Sequence, residues 1–181
     1  MHFQSIAQVV VLMTATLTSG VFVPGGLPDG LWSGKEFANG TTITTSLSDL
    51  TLPPIIEHHE VLPRSNEERG SGTGDCWGYQ LDPGSVDEDN TALQAYVNSV
   101  DNSLCSGGSN AWWGEIVNSV LVYFCADAAN ECYVVLPSTI QDGMGLMDAI
   151  CAPYEASWAL FPNFPGRALM GKCVINSQIC V

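Results

Sequence analysis

The seven cysteines of this chain all lie between Cys76 and Cys180, behind a first third that contains none. That first third opens with a run from Ile6 to Val23 that carries no charge, and its densest part has the length of a signal-peptide core and is short for a membrane span. Many thiols in a short stretch are typical of proteins that fold in an oxidising compartment. The sequence therefore predicts a secreted, extracellular protein with a disulfide-stabilised domain.

We expect three segments along the chain. Residues 1–20 form the predicted signal peptide, and residues 21–74, which are rich in Gly, Thr, Ser and Pro, form a flexible arm or a pro-segment. Within that segment Leu31 to Thr45 has the pattern of a hairpin, with Asn39-Gly40 as its turn. Asn39 also begins an N-glycosylation motif, Asn-Gly-Thr, so we expect a glycoprotein. Residues 75–181 form the cysteine-rich domain.

Periodicity in the cysteine-rich domain predicts two helices and a few strands. Val86 to about Val100 carries an apolar stripe at helical spacing, with Ser85 as its expected N-cap. A second helix is expected from Ser138 to Cys151. The apolar runs Val120 to Cys125 and Leu169 to Ile175 are predicted to pair as strands. The predicted fold class is α+β, a small disulfide-stabilised domain with two main helices packed on a short antiparallel sheet.

An odd number of cysteines leaves one thiol unpaired within the chain. Candidate bridges are a short loop closed by Cys125 and Cys132, and a link from Cys151 to Cys173 or Cys180, but the sequence leaves the connectivity open. The unpaired thiol offers a route to a disulfide-linked dimer. Because no Cys-x-x-Cys occurs, we expect no metal site formed by these thiols. We also expect no cofactor. The candidate disulfide residues are Cys76, Cys105, Cys125, Cys132, Cys151, Cys173 and Cys180.

The charge of the chain limits its partners. The chain contains nineteen acidic and five basic residues, which gives a formal net charge of −14. Nucleic acids and anionic lipid surfaces are bound through clustered Lys and Arg, so this acidic composition disfavours both. No later stretch has the length of a membrane span. The remaining partner classes are a host or competitor protein and a cell-wall glycan.

The histidines argue against catalysis by an imidazole. His2 lies in the predicted signal peptide, and His58 and His59 lie before the cysteine-rich domain. A Ser-His-Asp or Cys-His mechanism needs an imidazole held beside the nucleophile. The segment Glu57 to Glu60 contains side chains that bind Cu or Zn, but a solvated polar patch explains it better. We therefore predict that the protein is not an enzyme.

Carboxylates supply the one remaining catalytic alternative. Two of them could carry out glycoside hydrolysis, although acidic residues are so abundant here that the signal has little specificity. Asp87, Glu88 and Asp89 also suggest calcium, yet the positive end of a helix dipole explains them without an ion. The candidate hydrolytic residues are Asp82, Asp87, Glu115 and Asp127.

Aromatic residues form the candidate binding surface. Trp112-Trp113-Gly114 is predicted to lie on a loop where indole faces stack on sugar rings, and the favoured alternative is that these indoles fill the core. Phe161 to Pro165 is predicted as a proline-fixed loop that exposes aromatic edges. The candidate surface residues are Trp112, Trp113, Phe161 and Phe164.

Several short motifs occur in order along the chain. They are Leu27 to Leu47, Cys76 to Asp82, Val122 to Cys125, Gly171 to Cys173, and the terminal Ile179-Cys180. Together they resemble a group of small cysteine-rich proteins that filamentous fungi secrete, which are mostly uncharacterised and effector-like. Because Cys105 is not expected in the pattern of that group, it is our first candidate for the unpaired thiol.

The resemblance implies a secreted fungal effector or virulence-type protein. Such a protein binds a host or competitor molecule without catalysis, and acts in the host apoplast if its producer is a pathogen. The alternatives are a carbohydrate- or cell-wall-binding protein, a small carboxylate-based glycosidase, and an antimicrobial killer-type toxin.

Overall fold

Twelve strands and two helices make up the described part of the chain, residues 20–58, 73–107, 110–126, 131–161, 164 and 167–180 of a computed structural model. In chain order they are β1 (Val21–Phe22), β2 (Gly30–Glu36), β3 (Thr41–Ser46), β4 (Ile55–His58), β5 (Gly74–Gln80), α1 (Pro83–Ser99), β6 (Ser103–Cys105), β7 (Asn110–Val117), β8 (Val120–Ala126), β9 (Cys132–Val134), α2 (Pro137–Ile150), β10 (Glu155–Leu160), β11 (Ala168–Val174) and β12 (Gln178–Ile179).

Eight of the strands form one antiparallel sheet in the order β4-β3-β2-β7-β8-β11-β10-β5. Two small sheets, β1 with β12 and β6 with β9, lie beside it. Helix α1 packs on β7 and β8, and helix α2 packs on β10 and β11. The prediction of two main helices on a short sheet is therefore wrong, because strands hold 45% of the described residues and helices 23%.

The sheet is larger than predicted because the sequence patterns of several strands are weak. β7 contains Trp112 and Trp113 and was expected to be a loop, yet it is a central strand that is buried on both faces. Such strands have no alternation of apolar and polar residues. Gly34 of β2 contributes to this burial, since the Trp112 indole occupies the place where a Cβ would lie. The neighbouring indole therefore packs directly on the β2 backbone.

The sheet separates two apolar clusters. On the helix side, Val86 and Leu93 of α1 and Met147 of α2 pack with sheet residues such as Phe124. On the opposite side, Trp112 packs with other large side chains beneath β1 and β12, which supply Val21 and Ile179; the same cluster includes Trp32, Tyr123 and Trp158. Both faces of the central strands are thus covered.

Both helices occur close to where the sequence predicts them. α1 begins earlier than expected because Asp82, and not Ser85, is its N-cap: the Asp82 carboxylate accepts the Ser85 N–H at 2.8 Å. At the start of α2, the Thr139 hydroxyl accepts the Leu136 N–H at 3.2 Å. The predicted pairing of the two apolar runs is confirmed as β8 against β11.

The segment predicted as a flexible arm or pro-segment supplies four strands. β2 and β3 form a hairpin that joins the main sheet through β7, and β4 extends it. Asn39 lies exposed in the hairpin turn, where its side-chain oxygen accepts the Thr41 N–H at 3.1 Å. Residues 59–72, and almost all of the predicted signal peptide, lie outside the described residues. Removal of residues 1–20 as a signal peptide, and of residues 21–74 as a pro-segment, stays a prediction.

Three disulfides join the described parts of the chain: Cys76 to Cys151, Cys105 to Cys132, and Cys125 to Cys180. The unpaired thiol is Cys173, which is buried, so the assignment of Cys105 as the free cysteine is wrong. The bridges suggested from spacing do not form either. Three disulfides fit an extracellular protein. Neither helix of the described residues is long and apolar enough to cross a membrane.

Candidate functional site

Four carboxyl groups gather where helix α1 meets β7 and the start of β2. Glu88 and Asp89 belong to α1, Glu115 to β7, and Asp29 to the segment just before β2. The β2-β7 register pairs Leu31 with Glu115, and the Asn118 N–H donates to the Asp29 carboxylate at 2.9 Å. Asp29, Glu88 and Glu115 all act electrostatically on Asp89. We call these four residues the carboxyl cluster.

Asp89 is the centre of the carboxyl cluster. It lies on the apolar stripe of α1 between Val86 and Leu93, three residues after the first and four before the second. That spacing turns its side chain toward the sheet, where it is fully buried. Neither of its carboxyl oxygens has a hydrogen-bond partner among the described residues.

Glu115 faces α1 from the sheet. It lies two residues after Trp113 in β7, so both side chains are on the helix side of the sheet. Glu115 is half-buried, and its Oε2 atom is buried without a hydrogen-bond partner in the described structure. Asp89 and Glu115 thus lie near each other, and the charged groups that act on them in the described structure are acidic.

The surroundings raise the pKa of both groups. Burial, reinforced by the charges of Glu115, Glu88 and Asp29, raises the pKa of Asp89 to about 9. Burial, together with the charges of Glu88 and Asp29, raises the pKa of Glu115 to about 7. Both carboxyl groups therefore carry a proton in acid solution.

The geometry of the carboxyl cluster fits proton binding better than hydrolysis. In a glycosidase both carboxyl groups must reach the scissile bond or its attacking water, whereas Asp89 has no exposed surface. Among the residues that the structure describes, no three His, Cys, Asp or Glu side chains are placed to hold a metal ion.

The structure separates the carboxylates that the sequence singles out. Asp82 is the N-cap of α1, where hydrogen bonds from the Ser85 N–H and hydroxyl lower its pKa. Asp87 is exposed and accepts the Tyr154 hydroxyl at 3.4 Å. Asp127 lies outside the described residues. Of the four candidates, only Glu115 belongs to the carboxyl cluster.

Asp89 is the residue that sequence reasoning missed. Its charge was ascribed to the start of the helix, although it stands at a core position of the apolar stripe that includes Val86, Leu93 and Val97. A carboxyl group on the buried face of a helix was the available signal, because buried charges are rare without a partner.

The two tryptophans of the candidate binding surface are buried. Trp112 is fully enclosed in the cluster under β1 and β12, and Trp113 is 5% exposed and packs against Phe124 on the helix side. Neither indole presents a face to solvent. Their positions agree with the alternative that these rings fill the core.

Phe161 and Phe164 also pack inward. Their ring centroids lie 6.0 Å and 5.8 Å from that of Phe124, and Phe164 stacks on Tyr133 at 6.2 Å. Both residues are half-buried at the rim of the helix-side cluster. Pro162, Asn163 and Pro165 of the predicted loop lie outside the described residues.

The structure also describes a histidine of the Glu57 to Glu60 segment and the unpaired thiol. His58 lies on the edge strand β4, and its Nδ1 forms a hydrogen bond with the Thr41 hydroxyl at 3.0 Å; His59 and Glu60 lie outside the described residues. The buried Cys173 offers no exposed thiol for a disulfide between two chains.

The chain matches no protein-family model, no curated protein and no solved structure. Inference about function therefore rests on the residues themselves.

Proposed function

We propose that this chain is a secreted, non-catalytic effector-type protein that binds a host or competitor protein through the edge of its sheet at β4. The observation that carries this proposal is a set of exposed large apolar side chains on β4 and in the segment that joins β3 to β4. Leu50 is 82% exposed, Leu52 37% and Ile56 56%. Exposed apolar side chains clustered at a sheet edge are typical of interaction surfaces.

The backbone of β4 supports the same surface. β4 is the last strand of the eight-stranded sheet, and among the described residues only β3 pairs with it. An extended segment of a partner protein binds such an edge by main-chain hydrogen bonds, while its side chains contact the alternate residues of the strand. Ile56 and the two leucines before it supply the apolar contacts.

The chemistry of the edge favours a protein over a glycan. Sugar rings are bound mainly on exposed aromatic faces, and Trp112 and Trp113 are buried. The net charge of −14 favours a neutral or basic partner through electrostatic complementarity. The disulfides and the resemblance to secreted fungal proteins agree with action outside the producing cell, in the host apoplast if the producer is a pathogen.

The test is infiltration of the purified protein into plant tissue, with a parallel growth assay on competing microbes. We expect the native protein to cause cell death, immune suppression or growth inhibition. The variant Leu50→Ser/Ile56→Thr is expected to lose this effect because it removes the apolar contacts. The matched control Val134→Thr changes a side chain that is 70% exposed on β9, outside the main sheet, and is expected to keep it.

Each variant is compared by near-ultraviolet circular dichroism, so that misfolding is separated from lost binding. Equal activity of the edge variant and the native protein would contradict the role of β4. Absence of any effect, with unchanged virulence after deletion of the gene, would contradict the effector function. Retention on insoluble chitin, glucan or cellulose would favour the cell-wall-binding alternative.

A further inference from the structure

The contact between helix α1 and the sheet contains a buried acid whose charged form has no compensation. Asp89 is fully buried, and neither of its oxygens has a hydrogen-bond partner within the described parts of the chain. An ionised carboxylate in such a place is strongly disfavoured unless it is paired and hydrogen-bonded. The packed position of α1 is therefore compatible with a neutral Asp89.

Within the described segments, the charged groups that act on Asp89 are all acidic. Glu88 lies on the same helix, Glu115 faces it from β7, and Asp29 approaches from the segment before β2. β8, the other strand under α1, carries no charged residue. From α2, Gln141 contacts Asn90 and Gln94 of α1 with neutral amides, at 3.5 Å and 3.4 Å; Asp87, next along α1, is exposed and bonds Tyr154.

We propose that Asp89 and Glu115 form a pH-sensitive contact that keeps helix α1 packed on the sheet in acid and loosens it as the pH rises above neutral. Protonated, the two groups add no charge to the contact. Ionised, they join Glu88 and Asp29, and up to four negative charges then meet with no described cation between them. This proposal does not depend on the proposed binding function.

The direction of the pH effect follows from proton linkage. The pKa of Asp89 is 3.8 when the group is unperturbed and about 9 in the folded chain, so between these values the folded state binds a proton that the unfolded state has lost. The free energy of unfolding therefore falls as the pH rises across this range. Glu115 contributes in the same direction between 4.5 and about 7. The α1 contact is strongest in acid.

Hydrogen exchange of the full chain, followed by mass spectrometry from pH 5 to pH 9, tests the proposal. After correction for the intrinsic pH dependence of exchange, peptides from α1 are expected to lose protection progressively as the pH rises, until Asp89 is ionised near pH 9. We expect a loss of roughly tenfold or more, the factor that corresponds to one pKa unit. Peptides from α2 serve as the internal reference and are expected to change less.

Asp89→Asn is expected to remove most of this pH dependence, because the amide keeps the shape of the protonated acid and cannot ionise. The control Asp142→Asn removes an exposed carboxylate from α2 and is expected to behave like the native chain, which separates the local effect from general charge repulsion. Should Asp89→Asn not fold, Glu115→Gln is expected to weaken the pH dependence of α1 protection, because it removes one of the two groups that ionise in the contact. Unchanged α1 protection across the pH range in the native chain, or identical profiles in the native chain and a folded cluster variant, would overturn the proposal.

Discussion

Two fully buried ionisable side chains on the helix side of the sheet are accommodated in opposite ways. Lys172 of β11 has an oppositely charged partner, because its Nζ atom donates to the Asp148 carboxylate of α2 at 2.7 Å. Asp89 has acidic neighbours instead, so it is accommodated by holding a proton. The positions of Lys172 and Asp89 along the sequence do not show which of them has an oppositely charged neighbour, because the groups that surround each of them include residues of other elements.

The unpaired cysteine shows the same limit of sequence reasoning. Cys105 and Cys132 pair because the β6-β9 register places them opposite each other. Cys173 lies on β11 with its side chain in the cluster under β1 and β12, beside Tyr123. Neither relation can be derived from spacing along the chain. The odd count of cysteines was informative, and the identity of the free one required the fold.

The burial of Cys173 predicts an unreactive thiol. Its pKa is raised mainly by burial, so little thiolate forms, and the sulfur has no exposed surface. We expect the native protein to resist alkylation by iodoacetamide, and one thiol for each chain to react once denaturant is added without reductant. Peptide mass spectrometry is expected to locate the label on Cys173.

The variant Cys105→Ser is the control for this experiment. It frees Cys132, which is exposed, so one thiol should react rapidly without denaturant. Alkylation of Cys173 in the folded native protein would contradict its burial, and alkylation of a peptide containing Cys105 in the denatured native protein would contradict the disulfide assignment.

At the scale of single elements, the two glycines within helix α2 lie in different surroundings. Gly143 faces the sheet, where a Cβ atom would lie 2.6 Å from the Met170 sulfur and 2.8 Å from the Phe161 ring. Gly145 points to solvent, with no atom within 4 Å of the same position. The first glycine permits close packing on β11, and the second contributes only its low helix propensity.

These two glycines predict substitutions of opposite sign within one helix. Gly143→Ala is expected to lower the free energy of unfolding by about 1–3 kcal/mol, because the added methyl group overpacks the contact with Met170. Gly145→Ala is expected to raise it by about 0.5–1 kcal/mol through better helix propensity. Urea unfolding at a fixed pH measures both changes. Destabilisation by the second substitution, or none by the first, would contradict the described orientation of α2.

At the scale of the whole molecule, the helices and the β8-β11 pair were predictable and the extent of the sheet was not. Helical periodicity and a continuous β-type run are local signals, and both appear in the sequence. The remaining strands depend on pairing between distant segments, as when β2 joins β7 across more than seventy residues. Within the carboxyl cluster, Glu115 was a candidate hydrolytic residue from the sequence. Its proximity to Asp89 depends on the packing of α1 against the sheet.

The cysteine distribution suggested that the domain begins near residue 75, and the fold gives the preceding segment a structural role. β2 covers the edge of β7, and Val21, Val23 and Trp32 complete the cluster around Trp112. Strands β2 to β4 thus belong to the main sheet and β1 pairs with β12, although no disulfide attaches these strands to the rest of the fold.

A chain that begins at Thr73 is therefore expected not to reach the native fold. Removing β1 to β4 exposes one edge of β7 and the indole of Trp112, which is fully buried in the complete structure. We expect this fragment to lose its near-ultraviolet circular dichroism and its cooperative thermal unfolding, and to bind a hydrophobic dye. A chain that begins at Gly20 is the control. It should keep the native spectrum and the cooperative unfolding, and it should not bind the dye. If the fragment folded with a native spectrum, the early segment would be dispensable for folding, as expected of an arm.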